Sequence, residues 1–156
     1  MLLHRHGSAG QRLERPSLDR LRPLDQAGRD DARKLPDVLE QHAIERIVSS
    51  LLRRCVESVR PLAEARGLDI ELKAELSPEA PAEDTRALLD DLPTTALVCT
   101  HREVIQRLFD GNVTCEKGGT WVLERRGSRL LPTQYLPPPT RVGRAQRRAP
   151  LAQVDS

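Results

Sequence analysis

Aromatic side chains are nearly missing from this 156-residue chain: Phe109, Trp121 and Tyr135 are the only three. A core without them must be filled by Leu, Val, Ile and Ala, and a stacking platform for single-stranded nucleic acid is not expected. Cysteine is equally sparse. Cys55, Cys99 and Cys115 show neither a CxxC pair nor ligand-like spacing, and their odd number argues for a reduced, cytoplasmic setting rather than a disulfide framework. No apolar run approaches the ~20 residues that cross a bilayer, and no secretory leader is visible, so a soluble intracellular protein without membrane contact is expected. A basic, DNA-coating surface is missing too. The formal net charge is +2, but from Pro137 onward four arginines (Arg141, Arg144, Arg147, Arg148) stand against Asp155, a surplus of three. Subtracting that surplus leaves −1 for residues 1–136. No clustered Asp/His ligand set is visible, so neither a metal nor another cofactor is expected.

What remains is an ordinary globular composition, 38% hydrophobic and 31% charged, at a single-domain length. Met1–His4 reads as a short strand running into Arg5-His6-Gly7, and Ser8–Pro23 as a polar loop. Asp25 caps a helix from Gln26, with Ala32, Leu35, Val38 and Leu39 inward and a kink or break expected at Pro36. Ile44–Ser49 is a β-branched strand. Leu52, Val56, Val59 and Ala63 recur at steps of four, three and four, marking a helix that Gly67 stops. Leu68–Leu72 alternates as a strand, Ser77–Ala82 is a loop, and Thr85–Leu92 a short helix. Ala96–Thr100 is continuously apolar, as in a strand buried on both faces, and Val104, Ile105 and Leu108 mark the next helix. Gly118-Gly119 turns into Thr120–Glu124, which pairs with Arg129–Leu131 as a hairpin. Alternating strands and helices predict a three-layer α/β/α sandwich with a mostly parallel sheet. Residues 1–136 form the domain, and 137–156 read as a Pro/Arg-rich disordered tail.

In such a sheet, ligands bind beyond the carboxyl ends of the strands. Arg5, His6 and Gly7 stand at that end of the first strand, His101 at that end of Ala96–Thr100, and Arg54 opens the helix after Ile44–Ser49. Two of the chain's four histidines and two arginines thus converge on one edge. Phosphoryl transfer gives the set a reason. Guanidinium groups match the charge spread over three equatorial oxygens, a neutral imidazole can attack phosphorus, and a second can donate to the oxygens. Gly7 lets backbone amides approach the anion.

The same residues carry a resemblance. Leu3-His4-Arg5-His6-Gly7 resembles the strand-plus-RHG signature of the histidine phosphatase (phosphoglycerate mutase-like) superfamily. Arg22-Pro23-Leu24-Asp25 with Gly28 is similar to its R-P-L-[DT]-x-x-G element. Ser49-Ser50-Leu51-Leu52-Arg53-Arg54 resembles S-S-P-x-x-R with Leu51 in place of proline, and Val98-Cys99-Thr100-His101 its second-histidine strand. The resemblance implies a phosphoglycerate mutase-like fold and His6 as nucleophile. It further implies Arg5 and Arg54 as clamps, His101 as transition-state stabiliser and Glu79 as leaving-group acid, with Glu75 in reserve. Arg12 is a candidate substrate contact. The short interval from Arg54 to His101 leaves no room for a lid insertion, as in the short SixA-type branch. The Gly118–Leu123 stretch looks like the phosphatase domain fused behind Nudix hydrolases in actinobacteria. Expected substrates are a small phosphorylated metabolite or nucleotide, or a phosphohistidine protein, with a Nudix hydrolase as possible partner. The alternative is a catalytically weak phosphate-binding domain serving such a hydrolase. The start of the chain only five residues before His6 suggests a shortened first strand or a domain separated from an upstream partner. His4, Cys55, Cys99 and Trp121 read as packing residues, and His42 as a surface residue.

Overall fold

The computed structural model describes residues 1–141. Its elements alternate as the apolar runs require: β1 (Leu2–Arg5), α1 (Pro16–Asp19), α2 (Gln26–Val38), β2 (Arg46–Ser49), α3 (Arg53–Arg66), β3 (Ile70–Leu72), α4 (Ala82–Asp91), β4 (Ala96–Thr100), α5 (Arg102–Leu108), β5 (Thr120–Arg126) and β6 (Arg129–Leu136). One six-stranded sheet runs β3-β2-β4-β1-β5-β6. Its first four strands are parallel, and β5 and β6 continue it as an antiparallel hairpin. The α/β sandwich with a mostly parallel sheet expected from the sequence is the architecture observed.

Strand alternation divides the core into two layers. Leu2, Ile47, Leu97 and Cys99 point to one face, where Leu35 and Leu39 of the α2 side and Val59 and Leu62 of α3 cover them. Leu3, Val48, Ala96 and Val98 point to the other, against Leu89 of α4 and Ile105 of α5. β4, at the centre, is buried along its whole length, which is why it reads as an unbroken apolar run.

Three local expectations are corrected. The stretch read as a loop from Ser8 to Pro23 contains α1, begun by Pro16 at a first helical position where the missing N–H costs nothing. Pro36 does not split α2, which runs unbroken from Gln26 to Val38. It lies in the last turn, where its missing N–H removes a single intrahelical bond, and the helix closes with Leu39 N–H on Leu35 O at 3.0 Å. The beginning of the supposed tail is held in place: Thr140 donates to Asp31 Oδ1 of α2 from both its N–H (2.9 Å) and its hydroxyl (2.7 Å), and Pro138 and Pro139 are buried. Residues 142–156, the rest of that segment, lie outside the described residues.

Candidate active site

Strand register assembles the site. β1 pairs with β4 with Arg5 opposite Thr100, and the ladder continues one step beyond the strands through His6 N–H on Thr100 O (3.1 Å). β2 pairs with β4 with Ser49 opposite Cys99, and continues likewise through Ser50 N–H on Cys99 O (3.0 Å). The residues that follow the three adjacent parallel strands, Ser50, His101 and His6, are therefore neighbours although up to 95 positions separate them in the chain. The rings of His6 and His101 meet edge to face, their centroids 5.2 Å apart.

Both imidazoles are buried and neutral. Burial lowers the His6 pKa to about 3, opposed by its bond to the Gly7 carbonyl and reinforced by the charges of Arg54, Arg5 and Arg22. His101 is pushed down to about 2 by burial, then by His6, Arg54, Arg5 and Arg12. His6 Nδ1 lies 2.8 Å from Gly7 O, and a carbonyl can only accept. Nδ1 therefore carries the proton, and the lone pair is on Nε2.

Two arginines complete the set. Arg54, in the first turn of α3, is 2% exposed; its Nη1 donates to Asp19 O at 2.9 Å and its Nη2 lies 3.5 Å from Asp19 Oδ2. Arg5 Nη1 donates to Cys115 O at 2.7 Å. Among the described residues, the buried side-chain nitrogens and oxygens without a partner are Arg5 Nε and Arg54 Nε. Unspent buried donors on both guanidiniums are costly unless an acceptor meets them.

The loop that carries His6 is held from three sides. Gly7 N–H donates to Ser58 Oγ (2.8 Å), which in turn donates to Arg54 O (2.7 Å), so one α3 serine links the histidine loop to the arginine. Asp25 caps α2 through Gly28 N–H (2.9 Å) and also accepts from Ser8 Oγ (2.5 Å) and Gly10 N–H (3.0 Å). Gly28 lies against this loop so closely that a Cβ on it would stand 2.1 Å from Ser8 O. The spacing of Asp25 and Gly28 thus serves the loop after His6 as much as the helix.

The remaining expected residues lie at the margin. Arg12 bonds Glu103 at 3.1 Å, joining the loop after His6 to the first turn of α5, with its own side chain 67% exposed. Glu79, 68% exposed at its side chain, pairs with Arg20 at 3.4 Å and touches neither histidine. Glu75 borders a different cleft, with Arg46, Lys73 and Asp84. Sequence reasoning missed Ser50, Asp19, Arg22 and Ser58. Ser58 follows Arg54 by four positions on one helix face, a signal that could have been read. Asp19, which accepts from Leu13 N–H (2.8 Å) and Arg22 Nε (2.9 Å), had none. Exposed Leu13, Leu18, Leu21 and Leu51 lie on the two segments that carry Asp19 and Ser50. Among the described residues no group of three or more His, Cys, Asp or Glu side chains gathers as metal ligands, and no helix is long and apolar enough to cross a membrane.

Known proteins share the family and the fold. Residues 1–78 match the family described as histidine phosphatase superfamily (branch 1). An 8-oxo-(d)GTP phosphatase of Mycolicibacterium smegmatis is 32% identical over 157 residues; the match takes in 89% of this chain, which spans only 48% of that relative. The fold is shared with a protein histidine phosphatase SixA complexed with tungstate, at TM-score 0.73 and 20% identity, over 88% of this chain and 97% of that one. A putative phosphohistidine phosphatase SixA from Agrobacterium tumefaciens superposes at TM-score 0.70 and 22% identity, over 88% of this chain and 96% of that one.

Proposed function

The chain belongs to the histidine phosphatase superfamily, and from that premise we propose that it hydrolyses phosphoric monoesters or phosphohistidine through a phosphohistidine intermediate on His6. The carrying observation is the packing of two neutral imidazoles, 5.2 Å apart, together with two guanidiniums whose buried Nε donors are unspent. The Nε2 lone pair of His6 attacks phosphorus as the bond to the leaving group breaks. Arg5, Arg54 and His101 hold the equatorial oxygens through the loose transition state, while the Gly7 N–H is spent on Ser58 Oγ. Water then attacks phosphorus, the P–N bond breaks, and the electron pair returns to Nε2. The chemistry is assigned without a metal ion.

Glu79 is the leaving-group acid in this reading, in preference to Glu75. Its partner Arg20 follows Asp19, whose carbonyl and carboxylate hold Arg54, whereas Glu75 faces a separate cleft. An exposed pair such as Glu79–Arg20 is worth roughly 0–1 kcal/mol and opens at little cost. For the substrate, the mycobacterial relative supports a phosphorylated nucleotide or similar metabolite. The exposed leucines beside the site, with Arg12 at its margin, suit a flat or apolar group next to the phosphate. The SixA-like fold keeps phosphohistidine proteins open as substrates. Because the chain spans about half of its relative, a Nudix hydrolase partner in a cytoplasmic setting belongs to the same proposal. The second reading, a phosphate-binding domain that barely turns over, draws on the pairing of Glu79 with Arg20 rather than with either histidine.

Turnover of p-nitrophenyl phosphate by wild type and His6→Ala, with and without chelator, separates these readings. We expect turnover that survives chelation, vanishes in His6→Ala, and leaves acid-labile, base-stable phosphate on the wild type after quenching. Equal, negligible rates would leave only the binding role, and loss with chelator would refute the metal-free scheme.

A further inference from the structure

His101 can stabilise an oxyanion only if the nitrogen turned toward the anion carries a proton. Its ring is fully buried and neutral, so it has one N–H and one lone pair, and something must decide which nitrogen holds which. For His6 the Gly7 carbonyl decides. Among the described residues no backbone carbonyl is hydrogen-bonded to the ring of His101. Its Nε2 lies 2.8 Å from Ser50 Oγ and 3.4 Å from Cys55 Sγ, and among the described residues its Nδ1 meets Cys55 Sγ alone, at 4.0 Å.

We propose that Ser50 is a positioning residue: its hydroxyl donates to His101 Nε2 and thereby fixes the tautomer whose Nδ1–H is free for the phosphoryl oxygens. The assignment rests on the phosphatase reading above. Ser50 Oγ already accepts the Leu52 N–H at 3.3 Å, so an acceptor site on the oxygen is taken and its proton is available to donate. The nearest nitrogen is His101 Nε2. The opposite arrangement, with Nε2–H donating to Ser50, would leave the Nδ1 lone pair as the ring's free polar atom beside Arg5, Arg54 and an incoming anion, which is repulsive toward phosphate.

The geometry that places Ser50 is not accidental to its side chain. It follows β2 as His101 follows β4, joined by the Ser50 N–H to Cys99 O bond, so its hydroxyl is delivered to the ring by strand register. His101 is the N-cap residue of α5, yet its side chain caps no helix N–H, which leaves the ring to this one strong hydrogen bond. The two imidazoles are thus set oppositely: His6 with its lone pair on Nε2 for attack, His101 with its proton on Nδ1 for donation.

The test is imidazole 15N NMR of the full chain saturated with inorganic phosphate, together with steady-state kinetics of Ser50→Ala, Ser50→Thr and Cys55→Ala. We expect wild-type His101 to show a protonated Nδ1 and an unprotonated Nε2. Ser50→Ala should mix the tautomers and lower kcat and kcat/KM together by about tenfold or more, the loss expected when a transition-state donor is compromised. Ser50→Thr, which keeps the hydroxyl, should restore both, and Cys55→Ala should leave the tautomer unchanged. A proton on Nε2 in the wild type overturns the proposal, whatever happens to the variants. So does a folded Ser50→Ala with unaltered kcat. If the wild type shows no turnover at all, the phosphatase reading fails, and the tautomer still reports on Ser50 alone.

Discussion

Replacing Gly28 by alanine sets two effects against each other, and the structure decides between them. Gly28 lies inside α2, where exchange for alanine ordinarily stabilises a helix by about 1 kcal/mol. Here the new Cβ would stand 2.1 Å from Ser8 O and 3.1 Å from Leu24 Cδ2, and real Cβ atoms essentially never come within 3.0 Å, so the Ser8 carbonyl must retreat by about 0.9 Å. The loop cannot yield cheaply. Ser8 O accepts the Asp25 N–H at 3.0 Å, Asp25 holds Ser8 Oγ and Gly10 N–H, and Gly7 is tied to Ser58. Overpacking of this kind costs about 1–3 kcal/mol, so the net loss after the helix gain is about 0–2 kcal/mol, or a few degrees in Tm for a domain of this size. The larger effect is chemical. A shift of nearly 1 Å two residues from the nucleophile can cost on the order of a hundredfold in rate. Thermal unfolding and p-nitrophenyl phosphate turnover of Gly28→Ala should therefore show activity lost far beyond stability. A folded variant with wild-type kcat would refute the role assigned to this contact.

Arg54→Lys keeps the charge but loses the planar fork that reaches Asp19 O while presenting Nε. We expect kcat/KM to fall on the order of tenfold to a hundredfold, and an unchanged value would remove Arg54 from the clamp. Acid should unfold the protein well before its carboxylates titrate. Burial holds His4 at about 4, His6 at about 3 and His101 at about 2, all below the ordinary 6.5. Above pH 6.5 both states leave these rings neutral and stability is complete; between 6.5 and about 4 the unfolded chain binds protons that the folded one refuses. Stability therefore falls with pH by up to about 1.4 kcal/mol per unit for each ring, and Asp19, Asp25 and Glu57, whose carboxyls are held low, add the same sign further down. Urea midpoints that stay flat from pH 6.5 to 4.5 would contradict the buried neutral state.

The elements that strand periodicity and capping govern were readable in advance. Ala96–Thr100 matches its strand to the residue, Asp25 is the N-cap, and Gly67 ends α3 in the left-handed region at φ 65°. So were the places of His6, His101, Arg5 and Arg54 in the fold, each where a strand ends or a helix begins. The α1 turn was not, since four residues among arginines carry no apolar period. Nor was the docking of Thr140, which depends on one aspartate more than a hundred positions away. The supporting bonds of Ser50 and Ser58 fall between. Their positions relative to Arg54 were visible, but which donor each would meet was set by packing.

The carboxylates resisted reading for a physical reason. Strand register delivers a histidine to a defined place, but an acidic side chain outside the strands goes to the nearest cation. Around the proposed phosphate site, arginines are in excess. Asp19 is drawn to Arg22 and Arg54, Glu103 to Arg12 and Glu79 to Arg20. Each of these carboxylates therefore rests on an arginine rather than on the reacting atoms. On the proposed reading, a substrate dianion held by Arg5 and Arg54 competes with Asp19 for Arg54, and its charge loosens the neighbouring ion pairs, the most exposed one most easily. By that criterion Glu79, held across 3.4 Å to an arginine side chain itself 45% exposed, is freed before Asp19, whose side chain is only 13% exposed and bound by three donors. A proton donor released by the substrate's own charge would be invisible both to motif spacing and to the resting geometry, and would act only when there is a leaving group to receive its proton.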